Sequence, residues 1–425
     1  VSDLSDPRDR PRGTRPTDGS DRRHALRGDD RARQRADCTR HPKHSANYDD
    51  PISRLATPLS RRRFLRGAAA LAAALPVASL AAACGGDDEN GERSAATATT
   101  ATPATPPATA EPAGASSPVS SHSTGDGSWS FTDDLGVTIT LPQRPTRIVA
   151  YVATGAALWD FGVRPAGVYG TTVRPDGTRE ITTGSIDLES VVSLGEVYGT
   201  LDLEQLVALK PDLIVADLWT DTLDLWGLDE GASAQVAAIA PIVAIRYIDL
   251  PVSELIGRIG EVATALGADP DVPEVVAARA EFDRASANLE EAIAAKPGLT
   301  AVFVAGWQEA LYIANPRSWA DLIYFGDLGL EIVMPEALDE GYPIWQTLSW
   351  EQAGKYPADM ALQDARAGAP TIDELNEFPT WAAHPAAKAS QVYPWRTEYV
   401  ASYQGVTIVL DDLRTHVDAA RADVI

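Results

Sequence analysis

The chain is poor in sulfur and in imidazole: its 425 residues include two cysteines, two methionines and six histidines. The cysteines are Cys38 and Cys84, so residues 85–425 contain no pair that could form an internal disulfide. Only His122, His384 and His416 follow Cys84. A protein-built zinc or manganese site would want several histidines and carboxylates converging, and this set is too sparse. Hydrolase and nucleotide-binding signatures are missing as well: no G-x-S-x-G elbow, P-loop, H-E-x-x-H or Cys–His pairing occurs. Positive charge is scarce where it would matter. Residues 1–83 hold 17 basic and 10 acidic side chains, net +7, leaving 19 basic and 50 acidic in residues 84–425, net −31. A surface that acidic repels nucleic acid and anionic headgroups, so no nucleic-acid partner is expected.

What is present begins with an address. Ser60-Arg-Arg-Arg-Phe-Leu-Arg66 matches the twin-arginine export pattern, with Arg61 and Arg62 as its paired arginines. The apolar run Gly67–Ala83 is 17 residues, mostly alanine and interrupted by Pro76, which is short for a membrane-spanning helix. Ala81-Ala82-Ala83 before Cys84 resembles a lipobox, with Leu80 one place upstream of the preferred leucine. Lipidated Cys84 is thus the expected membrane anchor, firm only with the diacyl modification, because one acyl chain holds marginally. The expected compartment is extracytoplasmic, at the outer face of the cell membrane. Residues 1–59 read as a disordered extension, 60–83 as the export signal, and 84–127 as a flexible linker rich in Ala, Thr, Pro and Ser.

The folded part starts near Ser128. Trp129–Leu141 alternates around Asp134-Leu-Gly136 and predicts a β-hairpin. Strands are expected at Arg147–Tyr151, Ala166–Tyr169, Asp212–Ala216 and Ile242–Ile245, with helices at Gly155–Phe161, Leu203–Leu209 and Ala234–Ile239. This β-α rhythm argues for a mainly parallel sheet covered by helices. An apolar stripe from Val252 to Leu266 predicts a helix, and Val275, Ala278, Phe282, Ala285, Leu289 and Ile293 mark a second, from Val272 to Lys296. Alternation resumes with strands at Thr300–Ala305 and Leu311–Ala314 and a helix at Trp319–Leu328. The expected fold is therefore α/β, with two βα-sandwich lobes (128–250 and 298–425) joined through a helical connector (251–297) by one long interlobe helix.

Four ordered segments carry a resemblance. They are Arg147-Ile-Val-Ala-Tyr151 with Phe161-Gly-Val-Arg-Pro-Ala-Gly-Val168; Leu201-Asp-Leu-Glu204 with Ala208-Leu-Lys-Pro-Asp-Leu-Ile-Val215; the interlobe helix; and Trp345-Gln-Thr-Leu-Ser-Trp-Glu351 with Tyr356-Pro-Ala-Asp359. Together they resemble the substrate-binding proteins of ABC importers for iron-siderophores, haem and cobalamin. The resemblance implies capture of a ferric siderophore in a ligand cleft between the lobes and delivery to permease subunits, by a monomer that is not an enzyme. It implies no cofactor either, since iron arrives wrapped in its chelator. Haem or cobalamin binding in the same importer class, or a receptor feeding a membrane sensor, are the alternatives. The resemblance also implies that Glu204 and Glu351, one exposed glutamate on each lobe, dock on permease arginines. Each also suits a helix start, where an acid complements the dipole, with Ser349 as a cap before Glu351.

Ten tryptophans against seven phenylalanines is a ratio suited to a large amphipathic ligand, because indole and phenol combine flat apolar area with a polar tip. Tyr151, Tyr169, Tyr198, Trp219, Trp307 and Trp345 are the chosen ligand-contacting aromatics. Trp226, Tyr312, Tyr342, Tyr393 and Trp395 lie in similar loops. Tyr198 and Trp345 each stand six residues before a docking glutamate, near where the family places an aromatic contact. Among the few arginines, Arg317 and Arg396 are preferred over Arg174 and Arg246 as partners for chelate oxygens.

Overall fold

The computed structural model describes residues 127–174, 177–195, 200–219, 226, 228, 232–366 and 368–425. Arg61, Arg62, Cys84 and Tyr198 lie outside the described residues, as do the N-terminal extension and all but the end of the linker.

The predicted hairpin forms from β1 (Trp129–Thr132) and β2 (Thr138–Leu141), paired antiparallel. Asp133 shapes its turn by accepting from the Leu135 and Val137 amides. The first lobe then builds a five-stranded sheet from β3 (Ile148–Tyr151), β4 (Gly167–Tyr169), β5 (Val192–Ser193), β6 (Leu213–Leu218) and β7 (Ile242–Arg246). Its order is β5-β4-β3-β6-β7, and every pairing is parallel. Helices α1 (Val152–Asp160), α2 (Leu203–Leu209) and α3 (Ala232–Ala237) connect them. Strands β3 and β6 are nearly all apolar and fully buried, as expected when helices cover both faces of a parallel sheet. The strand order reverses between β3 and β6, which places the crevice outside the ends of those two strands.

Two helices follow, α4 (Val252–Ala265) and α5 (Pro273–Ala294). The latter has Pro273 at its start, where the missing N–H costs nothing. At 1.5 Å per residue its 22 residues span about 33 Å. Its stripe buries Val275, Phe282, Ala285 and Leu289. Helix α4 joins the lobes as well, packing on α1 and on α6 (Ala320–Asp327) of the second lobe. The long helix α5 is therefore accompanied by a second connecting helix.

The second lobe contains β8 (Thr300–Gly306), β9 (Leu311–Ala314), β10 (Glu331–Ile332), β11 (Trp345–Leu348), β12 (Met360–Asp364) and β13 (Val392–Trp395). Its path is β11-β9-β8-β12-β13, with β10 on β8. Here β9 and β11 run antiparallel at one edge, so this sheet is mixed. Short helices α7 (Ile372–Leu375), α8 (Pro379–Ala382) and α9 (Pro385–Lys388) cover one face of this sheet, burying Leu375, Trp381 and Ala386 against Val302, Val304, Ile313 and Ala361. The last helix, α10 (Tyr403–Ala419), lies along α5.

Beyond the connector, further contacts among the described residues tie the lobes. Ile248 forms an isolated bridge with Trp319, and the Asp249 amide donates to the Ser318 carbonyl at 2.8 Å. The Ser402 hydroxyl donates to Asp160 at the end of α1, at 2.5 Å. Tyr403 sets its ring against both Phe161 and Phe282, 5.8 and 5.7 Å between centroids. Among the described residues no helix is long and apolar enough to cross a membrane.

Candidate ligand cleft

The crevice at the ends of β3 and β6 is aromatic. Tyr151 ends β3 and Tyr169 ends β4, their rings 5.6 Å apart. Gly170 makes that approach possible: its φ is 104°, and a Cβ there would stand 2.7 Å from the Tyr151 ring. Trp219 follows β6 and stacks at a tilt on Trp226 (5.1 Å) and Tyr247 (6.0 Å). It then meets Trp319 of the second lobe edge-on at 5.3 Å. Trp319 in turn lies 4.9 Å from both Trp345 and Trp395. An unbroken run of rings therefore crosses from one lobe to the other.

Several polar tips in the aromatic core have no hydrogen-bond partner among the described residues. The Trp219, Trp307 and Trp345 indole N–H groups and the Tyr169 hydroxyl are all buried in that state. Trp381, in a separate cluster beneath α8 and α9, shares the condition, so an unpartnered indole is not by itself diagnostic. Four of them on residues chosen from sequence as ligand contacts carry more weight. Each unmet donor costs about 1–3 kcal/mol, recoverable by a ligand with oxygen acceptors.

Charge is arranged just as unevenly. Asp217, 2% exposed on β6, accepts a hydrogen bond from Thr154 at the start of α1. The Thr154 hydroxyl also lies 2.8 Å from that of Tyr247. Burial pushes the Asp217 carboxyl up to about 8, with the Glu398 charge adding to the rise and the Thr154 bond opposing it. Burial also raises Glu398, in the second lobe, to about 7 against the pull of Arg366. The Trp226 side chain hydrogen-bonds with both Tyr151 and Glu398, linking the lobes.

A cleft of ≈ 550 Å³ opens between Arg174 of the first lobe and the loop after β12, lined by Asp364, Arg366, Pro370, Ile372 and Pro394. Arg174 forks onto Glu180 with two bonds of 2.9 Å. Arg366 pairs with buried Asp364 at 2.6 Å. Sequence reasoning passed over Arg366, Asp217 and Glu398. Asp364-Ala-Arg366 follows a buried parallel strand, the position where cleft residues gather, and that signal was available.

The remaining chosen residues scatter. Trp307 follows β8, and Trp345 begins β11, 1% exposed beneath Trp319. Arg317 is exposed, with its amide held by the Asn315 side chain at 3.1 Å. Arg396 turns toward α10 and pairs with Asp412. Tyr393 likewise stacks on His416 of α10, at 4.8 Å. These two follow the outer packing of β13 rather than the run of rings. Glu204 is exposed in the first turn of α2, whose cap is Asp202 accepting from the Gln205 amide at 2.8 Å. Glu351 is exposed in a single 3₁₀ turn, Trp350–Gln352, rather than an α-helix. Ser349 does not cap the backbone there. Its hydroxyl instead bonds to Glu351 and holds that carboxyl below its usual range. Trp350 anchors the turn, stacking on Phe378 at 3.8 Å and donating to the Trp307 carbonyl at 3.1 Å. Among the described residues no group of three or more His, Cys, Asp or Glu side chains is placed to hold a metal ion.

Two α/β lobes closing on an aromatic crevice define a ligand-binding protein. The chain belongs to the periplasmic binding protein family, whose model matches residues 149–399; this is a family of binding proteins, not enzymes. It is 35% identical to DesE, a ferric-siderophore receptor protein from Streptomyces coelicolor. The match covers 69% of this chain and 99% of that one, with a TM-score of 0.64. An Fe(3+)-citrate-binding protein, YfmC of Bacillus subtilis, is 24% identical over 275 residues, 64% of this chain and 80% of its own. Staphylococcus aureus SirA, solved with staphyloferrin B, shares the fold at 20% identity and a TM-score of 0.50, over 69% of this chain and 99% of its own.

Proposed function

We propose that the chain is the extracytoplasmic substrate-binding protein of an ABC importer. It captures a ferric siderophore between its lobes and delivers it to a permease. The observation that carries this reading is the run of rings from Trp226 and Tyr247 through Trp219 and Trp319 to Trp345, with the unpartnered Trp219 and Trp345 N–H groups buried along it. Such a wall offers flat area to an apolar chelate shell and donors to its oxygens. The 35% identity to a ferric-siderophore receptor supports the same ligand class. Ferric citrate, bound by the more distant Bacillus relative, fits less well. A compact polyanion wants cations to spare, and Arg174 and Arg366 are already paired with Glu180 and Asp364.

Within this reading Cys84 is the lipid anchor behind the Arg61-Arg62 export signal. Tyr151, Tyr169, Tyr198, Trp219, Trp307 and Trp345 face the ligand. Glu204 and Glu351 provide a two-point dock that sets orientation and encounter rate with the permease. The coupling of the Glu351 turn to Trp307 through Trp350 gives that dock a physical link to the cleft wall. The test is a tryptophan-quenching panel of ferric hydroxamates, ferric catecholates, ferric citrate, haem and cobalamin against the full chain. Saturable, stoichiometric quenching by a ferric siderophore is expected, and quenching by haem or cobalamin alone would reassign the ligand.

A further inference from the structure

The two flanks of the seam between the lobes are fastened differently. On one, backbone holds backbone: Ile248 bridges to Trp319, the Asp249 amide donates to the Ser318 carbonyl at 2.8 Å, and the Trp219 and Trp319 rings meet at 5.3 Å. On the other, a side chain does the fastening. Asp160, the last residue of α1, accepts from Ser185 of its own lobe on Oδ1 and from Ser402 of the second lobe on Oδ2, the latter at 2.5 Å. An acid at a helix C-terminus works against the dipole. Burial raises this carboxyl, and the Ser185 and Ser402 hydroxyls and Arg164 oppose the rise. Helix stability therefore does not account for an acid at this position. Ser402 is fully buried and its hydroxyl is used twice. The oxygen accepts from the Gly405 amide at 3.1 Å as the cap of α10, which leaves the hydrogen for Asp160.

Neighbouring contacts on this flank are loose or shaped to part. Tyr403 meets Phe161 by ring edge, a contact that can slide. Val400 lies over Gly184, where a Cβ would stand 3.0 Å from its methyl. Space adjoins Asp160 as well: a second cleft of ≈ 660 Å³ is lined by Trp159, Arg164 and Ser185 from the first lobe and Arg396, Tyr399 and Ile408 from the second. The ≈ 550 Å³ cleft at Arg174 and Arg366 borders it through the Val173–Arg179 turn, whose Arg179 donates to the Gly184 carbonyl at 3.1 Å.

We propose that the Ser402–Asp160 bond is a releasable latch on the entry side of the ligand cleft. The lobes swing about the Ile248–Trp319 flank; breaking the bond admits or releases the ligand, and its re-formation shuts the cleft. Asp160 is thus a positioning residue that acts on the lobes rather than on the ligand. Water can satisfy both partners when the seam opens, and the bond to the Gly405 amide keeps α10 capped meanwhile. Because the latch joins protein to protein, it contributes equally to a shut cleft with or without its ligand. It therefore governs the rates of entry and exit rather than affinity.

The identity of the ligand rests on the ferric-siderophore reading, but the latch is tested first without one, by hydrogen exchange on the full chain. The Gly405 amide reports on the Ser402 flank and the Asp249 amide on the opposite one. In Asp160→Ala, exchange across residues 400–405 should quicken roughly 10- to 100-fold, the range of a hydrogen bond to a charged group, with Asp249 unchanged. Asp160→Asn can still accept from Ser402 and donate to Ser185, so it should fall between. Faster exchange on both flanks, or on neither, overturns the latch and leaves the ferric-siderophore reading standing. Stopped-flow tryptophan quenching by a linear ferric tris-hydroxamate then tests its use. Association and dissociation should both quicken in Asp160→Ala, with Kd changed by about twofold or less. Faster dissociation alone would place Asp160 in the ligand's contact surface and overturn the gating role. Failure of this and every other ferric siderophore to bind would remove the parent reading, and hydrogen exchange would still decide the latch.

Discussion

The two walls of the cleft use similar residues to different ends. On the second-lobe side Trp319, Trp345 and Trp395 pack edge to face in a triangle, 4.9 to 6.0 Å between rings. Trp395 donates to buried Asp321 at 2.7 Å, and Trp319 donates to the Ile344 carbonyl at 3.2 Å. On the first-lobe side the rings lie near buried Asp217, and the Tyr169 phenol and the Trp219 indole are left unpartnered. The Trp345 and Trp307 indoles of the second lobe are unpartnered as well. Aromatic enrichment in a binding protein therefore has two sources, a rigid backing and a recognition face. Within each wall, partnering of the polar tips separates them.

Four experiments would break or sharpen that contrast. The largest effect is expected from Trp395→Ala, which removes a core ring and leaves Asp321 without its donor. Unfolding should become easier by about 3–5 kcal/mol in denaturant titration. A stable variant with weakened ligand binding would instead put Trp395 on the recognition face. Next, buried acids make unliganded stability pH-dependent on both walls. Burial pushes Asp217 to about 8 and Asp321 to about 7, whereas unfolded carboxyls lose their proton near 4. Over that window the folded chain holds protons the unfolded chain has released, so stability falls as pH rises, by at least about 2 kcal/mol from pH 5 to 8. Asp217→Asn should flatten part of the slope. A slope unchanged in Asp217→Asn would show that this carboxyl does not take up its proton on folding.

Smaller effects follow. Tyr169→Phe removes only an unpartnered hydroxyl, so thermal stability should hold or rise slightly. Siderophore affinity should drop by about 1 kcal/mol, roughly fivefold, in a quenching titration. Lost stability with intact affinity would make it a backing residue. Arg317→Ala and Arg396→Ala should change affinity by about twofold or less, since one is exposed and the other is committed to Asp412 on the surface. A tenfold loss at either would add that arginine to the recognition face.

Much of this architecture could be read along the chain. The hairpin, the all-parallel first sheet and the long helix follow from local periodicity, and their ends shifted by only a few residues. The α1 helix starts at Val152, three residues earlier than Gly155, because the buried run continues straight from β3. Pairings between distant residues were less legible. Nothing near Trp219 announces Trp319, 100 residues on, nor does Glu398 announce Trp226. Arg396 and Arg366 illustrate the limit, since both follow parallel strands of one sheet. One pairs with an acid on α10 and lines a second cleft of ≈ 660 Å³ against α1 and α10, the other lines the first cleft, and only the packing of α10 on that edge decides between them.

The most direct test of the central claim is a stoichiometric titration of the full chain with a ferric hydroxamate siderophore, followed by tryptophan fluorescence. The account predicts saturable quenching at one ligand per chain, with the chelate recovered unchanged. No quenching by any ferric siderophore, or conversion of the ligand to a product, would contradict it.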